Sequence, residues 1–509
     1  MDSWLLYQNT SIEGKKNYYA WYDMIKDMNL DIVFRTMARG DAWIAEKSRK
    51  VIMVPLGEPD EILYRQNIIK DFYSQEELLG SLYECAVRQQ KALRIFKEAE
   101  EKNRSKSTKK TGEILDTLEY LNQGQEDLLL IRDLLAENRE SLYSEGLLSL
   151  LGRLEKEPLD DIKAKLLELD FFVTGGEVGY TFQFGGGLKI DHAVVNYCES
   201  TKRPRKRAKQ GGLQKFYYNF VKRNAIPMHG NEALQQDVNH LKEFTMQQVL
   251  KIFDSYLHKM MKFFEHFSEE MAFYQGVVNF MVRMKELNIV LSMPVPLQIG
   301  IKDTKFQDLY ELSMAIYLQS KPVGNTLDLM DNRLTLVTGA NQGGKSTFLR
   351  SYGIAQVLMQ CGMPVPAKEF TAPIYRQIFT HFTRREDEQL NSGRLREELQ
   401  RMSDMIKAAG PGCVFLLNES FASTTEREGS KIAEGILKAF YEKEITTIMV
   451  THLFQLAKTL YEKKLDGTYF LVAERKPDGA RTYRMLPGEP GYTSYGTDLF
   501  EILESELGQ

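Results

Sequence analysis

The most constraining stretch of the chain is Arg333 to Arg350, RLTLVTGANQGGKSTFLR. Leu334 to Val337 has the apolar, partly β-branched character of a buried strand, and the glycine-rich turn after it opens onto a helix-compatible run. Gly339, four intervening residues and then Gly344-Lys345-Ser346 form the P-loop pattern, with a strand before it and a helix after it as that pattern requires. A phosphate needs bare backbone N–H groups converging on it; Gly343 and Gly344 allow that approach, and the helix N-terminus adds partial positive charge. Lys345 is expected to reach the β/γ-phosphates as a point charge and Ser346 to offer its hydroxyl to Mg²⁺. The spacing therefore predicts an ATP site over Gly339, Ala340, Asn341, Gln342, Gly343, Gly344, Lys345, Ser346 and Thr347, with Mg²⁺ as cofactor. The alternative is a chance glycine turn between a strand and a helix.

The chain has 509 residues, 43% of them hydrophobic, enough for two to four domains with real cores. No apolar run reaches the roughly 18 residues of a membrane span, and Met1 to Thr10 lacks the basic start and apolar segment of a signal peptide. Four cysteines, Cys85, Cys198, Cys361 and Cys413, lack metal-like spacing, which fits a reduced, cytoplasmic compartment. The net charge of −4 argues against a uniformly basic nucleic-acid coat, so DNA binding has to come from local patches.

Residues 1–60 read as mostly helical, and Glu61 to Arg94 places apolar residues at helical spacing in ILYRQNIIKDF and ELLGSLYECAV. Glu98 to Lys110 is nearly free of apolar side chains and reads as an exposed turn, after which helical periodicity resumes over 112–170. Near residues 171–190, β-formers alternate between glycine pairs and predict a small hairpin. Lys202-Arg203-Pro204-Arg205-Lys206-Arg207-Ala208-Lys209 is the densest positive run, fit either to neutralise duplex phosphates or to remain a solvated loop. From 233 to 290 the apolar positions Met246, Leu250, Phe253, Leu257, Met260, Phe264, Phe267, Met271, Tyr274, Val278 and Met281 alternate by four and three residues. This is a coiled-coil-like seam of about five heptads, on a helix roughly 75 Å long. A core helix explains the apolar face equally well but not the length. Pro294 and Pro296 end it.

Beyond the P-loop, the buried-strand run Val414 to Leu417 ends in Asn418-Glu419, and Thr446 to Val450 ends in Thr451-His452. Polar residues at the carboxyl ends of strands are how an α/β sheet builds a nucleotide site. Glu419 is thus placed to polarise an attacking water and His452 to sense the γ-phosphate, although a lone His at a strand end also serves purely structural roles. Thr468 to Glu474 and Arg481 to Leu486 read as closing strands.

The order of GANQGGKST, GMPVPA (Gly362 to Ala367), IFTHF, SGRLREELQRM, LLNESFASTTEREG and VTH resembles the ATPase domain of the MutS family of DNA mismatch-repair proteins. EILYRQNIIKDF and the long helix resemble that family's core and lever, and LPGEPGYTSYGTDL its last ATPase strand and turn. The resemblance covers about residues 30–509 and is specific only in the last 190 or so. It implies a mainly helical core and lever region with a long coiled-coil-like helix, followed by an ABC-type P-loop α/β ATPase domain. The division is 1–232, 233–296 and 297–509. The family carries an Asp-Glu pair at the Mg²⁺ strand; here the metal position is Asn418, which keeps an oxygen and loses the charge. The signature segment, which touches the opposite subunit's nucleotide, has Ser-Thr in the family and Gly393-Arg394 here, with Ser392 one residue away as the candidate contact. The core-like region begins near the start of the chain, leaving no room for the family's N-terminal mismatch-reading domain, so mismatch recognition is not carried over.

The resemblance implies a homodimeric, clamp-like ATPase that acts in DNA repair or recombination on mismatched or branched DNA, with slow turnover and no membrane partner. Two alternatives stand beside it. One is another ABC-type ATPase with a non-DNA partner; the other is a nucleotide-gated scaffold that hydrolyses little, for which Asn418 is the main argument.

Overall fold

A computed structural model describes residues 3–8, 10, 12–105, 110–174, 177–184, 190–199, 232–383, 393–476 and 480–491. The basic run at 202–209, Ser392 and the last part of LPGEPGYTSYGTDL lie outside the described residues.

Short helices α1 (Trp21–Asp27), α2 (Asp31–Ala38) and α3 (Ala42–Ile52) lead to α4 (Pro59–Ser74). They are followed by α5 (Glu76–Ser105), α6 (Lys110–Glu137), α7 (Glu145–Lys156) and α8 (Leu159–Thr174). Strands β1 (Glu177–Phe184) and β2 (Ile190–Glu199) pair antiparallel and precede α9 (Glu232–Glu286). The remainder alternates strands and helices: β3 (Val295–Leu297), β4 (Thr304–Leu309), α10 (Leu312–Leu318), β5 (Asn325–Leu329), β6 (Leu334–Thr338), α11 (Lys345–Gln360), β7 (Glu369–Pro373), β8 (Ile378–Phe382) and α12 (Arg394–Ala408). Then come β9 (Val414–Asn418), α13 (Glu426–Glu442), β10 (Thr446–Val450), α14 (Phe454–Lys463), β11 (Thr468–Arg475) and β12 (Arg481–Pro487). Among the described residues no helix is long and apolar enough to cross a membrane.

The chain divides into two compact units. One comprises Ser81–Glu140 and Ser149–Ser268 with Met1–Ser3. Here α5 continues to Ser105, so the charged stretch from Glu98 to Ser105 is helical and not a turn. Arg88 grips the buried Asp127 between α5 and α6, with Nε 3.0 Å from Oδ1, and Gln89 adds a second donor at 2.5 Å. Gly124 of α6 lets α9 approach, because a Cβ there would meet Met260 Sδ at 2.5 Å. On α9 itself the seam residues Leu257, Met260, Phe264 and Phe267 are buried, and so are Met271, Tyr274 and Val278. Phe263, Ala272, Phe273, Val277 and Phe280, off that seam, are buried as well, so burial on the later part of the helix spreads well beyond the seam, while Gln275 and Asn279 stay partly exposed.

The other unit comprises Trp4–Gly80, Ser141–Leu148 and Glu269–Gln509. Its six-stranded sheet has the order β12-β11-β6-β10-β9-β8, parallel except for β12. Every residue of β6, β8 and β10 is buried, the mark of parallel strands covered on both faces. Leu336, Phe415, Leu417, Phe421, Leu437 and Met449 share one core on the sheet. A second sheet, β3-β7-β4-β5, lies in the same unit. Helix α11 is buried along almost its whole length, and Arg65 of α4 meets its carboxyl end. That guanidinium is fully buried, donates to Cys361 O at 3.0 Å and to Leu6 O at 2.7 Å, and lies against the rings of Tyr7 and Phe273.

Candidate functional site

Parallel register brings three strand ends to one edge of the six-stranded sheet. Val450 pairs with both Val337 and Asn418, so Gly339 after β6, Glu419 after β9 and His452 after β10 leave the sheet together. The loop after β6 is held in shape by its backbone: Gly339 has φ 120°, Gln342 φ 58° and Gly344 φ 91°. Two of the glycines answer to a neighbouring strand before any ligand is considered. A Cβ at Gly339 would meet Ala473 N of β11 at 2.9 Å, and one at Gly343 would meet Ala473 Cβ and Ala340 O at 2.9 Å. Gly344 then begins α11, aiming the free N–H groups of the helix's first turn toward the loop.

Lys345, only 5% exposed, folds back over this loop and donates to Gly339 O at 2.8 Å and Ala340 O at 2.9 Å. Burial pushes its ammonium down to about 8, with the Glu419 carboxylate acting in the opposite sense. Glu419 has φ 56°, a left-handed conformation that costs a non-glycine residue on the order of 1 kcal/mol or more. Its backbone N–H donates to Val450 O at 2.8 Å, and its Oε1 lies 2.9 Å from His452 Nε2. The hydrogen bond from His452 holds the Glu419 carboxyl below its ordinary range, against the upward push of burial. The loop after Glu419 is pinned by α12: Glu398 accepts from Phe421 N and from Ser423 Oγ at 2.6 Å.

The loop borders a cavity of about 520 Å³. Asn341, Gln342, Gly343, Gly344, Lys345, Ser346, Thr347 and Glu419 line it. His452 stands behind Glu419 and is not among the lining residues; neither are Gly339, Ala340 and Asn418. Asn418 Oδ1 is buried and has no hydrogen-bond partner among the described residues. A buried acceptor left open at the end of β9, with the Ser346 hydroxyl in the first turn of α11, fits a cation and its water shell. Ser392 lies outside the described residues, and Gly393 is exposed at the start of α12.

The far wall of the cavity escaped the sequence reading. It is built by Tyr310, Met314, Leu318, Pro322 and Val323, which precede the glycine-rich loop, and by Tyr483 of β12. Tyr483 has φ 62° and would contact a Cβ at Gly344 at 3.4 Å, while Arg481 donates to Gln342 Oε1 at 2.7 Å. The available signal was the exposed apolar cluster at 314–323, too short to show a period.

Comparison with known proteins finds two family models that match the chain. Residues 335–504 match the family model described as MutS domain V, and residues 57–287 match the one described as MutS2 N-terminal domain. The chain belongs to the MutS family. It is similar to the DNA mismatch repair protein MutS of Thermus thermophilus, at 31% identity over 180 residues, 35% of this chain and 22% of that protein. It is 32% identical over 179 residues to the protein of the same name from Thermus aquaticus, again with 22% of that protein covered. Endonuclease MutS2 of Halothermothrix orenii is 29% identical over 188 residues, 36% of this chain and 23% of that protein. The chain thus matches less than a quarter of the length of these relatives; in this MutS-family member the stretch 335–504 that matches MutS domain V contains the loop, Glu419 and His452.

Proposed function

We propose that this chain is an ATP-dependent DNA-binding protein, a slow ATPase that works as a homodimer on mismatched or branched DNA. The observation that carries the reading is the convergence of the glycine-rich loop, Glu419 and Asn418 at one sheet edge beside a cavity of about 520 Å³. In this reading the loop from Gly339 to Thr347 is a P-loop, and the apolar wall of Tyr310, Met314 and Val323 takes the base. Lys345 exchanges its two backbone carbonyls for phosphate oxygens. Glu419 orients the attacking water, and His452, hydrogen-bonded to it, keeps that carboxylate ionised and aimed. Ser346 and Asn418 would hold Mg²⁺, which when bound supplies positive charge to the β/γ-phosphates. The homodimer and the Ser392 contact to the opposite nucleotide rest on the family resemblance; DNA binding rests on it and on the basic run at 202–209.

One observation favours a second reading, a nucleotide-gated scaffold with little hydrolysis: the Asn418 amide gives a cation an oxygen and no charge. The test takes wild type, Lys345→Ala and Glu419→Gln through steady-state phosphate release and through binding to homoduplex, mismatched and branched DNA across a salt series, with and without ATP. Lys345→Ala is expected to abolish every nucleotide effect, and Glu419→Gln to keep ATP binding while losing turnover by at least about a hundredfold. Unchanged hydrolysis in Glu419→Gln sinks the catalytic assignment. Absence of hydrolysis in the wild type makes the scaffold the better reading.

A further inference from the structure

A second cavity, of about 600 Å³, shares a wall with the first: Glu311, Met314 and Thr347 line both. Three cationic side chains reach it, Lys26 and Arg35 from the N-terminal helices and Arg350 from α11. Lys26 and Arg35 have no side-chain partner among the described residues. Arg350 donates through Nε to Asp27 O at 2.9 Å, and its guanidinium lies 5.7 Å from the Phe382 ring centre, which leaves its two terminal nitrogens for a ligand. The two carboxylates on the cavity are already engaged. Asp31 is 3.5 Å from Arg49, and Glu311 caps α10 by accepting from Met314 N and Ser313 Oγ. Uncompensated cations in one concave site attract an anion, and guanidinium groups match phosphate oxygens best. Tyr317, on the same wall, is 81% exposed and offers an aromatic face.

We propose that this second cavity binds a nucleoside phosphate unit, its phosphates against Lys26, Arg35 and Arg350 and its base on Tyr317. Stacking of a base on an exposed tyrosine, beside a cationic groove, is how nucleotide units are held without regard to sequence. Arg350 follows Ser346 by one turn of α11, so a ligand held there pulls on the helix that starts at the glycine-rich loop. The unit can come from a free nucleotide or from a single strand, and the chemistry of the site is the same for both.

The test is isothermal titration of the full chain carrying Lys345→Ala, which in the proposed reading keeps nucleotide out of the first cavity, with thymidine 3′,5′-bisphosphate, while the wild type is titrated with ADP in parallel. One site per chain is expected, with affinity that falls as salt rises. Arg35→Ala and Tyr317→Ala, both at exposed positions, should each weaken it about tenfold. Octathymidylate then competes: displacement at a lower nucleotide concentration than the free bisphosphate assigns the site to a strand, and the reverse assigns it to free nucleotides. Absence of bisphosphate binding, or binding that neither substitution alters, overturns the proposal. Failure of ADP to bind at all would refute the ATP reading alone, since the Arg35 and Tyr317 variants still report on the second cavity.

Discussion

Raising the pH from 7.5 to 9 should weaken nucleotide binding by about eightfold, and Lys345 is the reason. In the empty site its amine sits on two neutral carbonyls, Gly339 O and Ala340 O, and burial brings its pKa to about 8. Only the ammonium form serves a phosphate, so an empty protein that has lost the proton has to take it back to bind. The apparent dissociation constant then scales as one plus ten to the power (pH − pKa), a factor of about 1.3 at pH 7.5 and about 11 at pH 9. Calorimetry with ADP in two buffers of different ionisation heat checks both parts: the affinity should fall, and proton uptake should rise from about a quarter to about nine-tenths of a proton per site. Lys345→Arg should remove the dependence, because a guanidinium stays charged throughout. Flat affinity, or no proton uptake, would refute the claim that the empty site depletes the lysine of its proton. Stability of the empty protein has the opposite sign: between about 8 and the ordinary 10.5 the unfolded chain binds more protons at this residue, so this contribution rises with pH.

Asn418→Asp should lower the Mg²⁺ concentration for half-maximal turnover by about tenfold, the worth of one charge-assisted contact, as read from a magnesium titration of phosphate release; an unchanged midpoint would remove Asn418 from the cation site. Arg65→Met should destabilise the protein by about 2–4 kcal/mol in urea melts, because it leaves the Leu6 and Cys361 carbonyls buried without a donor. A neutral or stabilising result would mean that desolvating the guanidinium costs as much as its hydrogen bonds return.

What could be read from the sequence was whatever a short window contains. The run Leu334 to Val337, the glycines and Lys345-Ser346 are neighbours in the chain, so strand, turn and helix start are legible together and appear as β6, loop and α11. Glu419 and His452 are 33 residues apart, yet each follows its own buried run, and parallel register does the rest. Their hydrogen bond could not be read, because it depends on side-chain reach across two strands. The apolar wall at Tyr310 to Val323 was missed for a different reason: α10 is seven residues long, too few for periodicity, and its exposed Met314 and Leu318 resemble ordinary loop residues until a cavity forms beside them. On α9 the seam from Leu257 to Val278 is buried, but a strict four-and-three spacing cannot tell one partner helix from a core that spreads beyond the seam to Phe263, Phe273 and Phe280.

The grip of Glu398 on the loop beyond Glu419 has a consequence for timing. Glu398 lies in the first turns of α12, whose leading end, near Gly393, would face the other copy's nucleotide in the proposed dimer. Its carboxylate holds Phe421, itself at φ 66°, two residues after the strained Glu419. A pull on α12 from across the dimer is therefore delivered directly to the backbone that sets the angle of the Glu419 carboxylate. In the proposed dimer, closure over one nucleotide would thereby retune the rate at the opposite one.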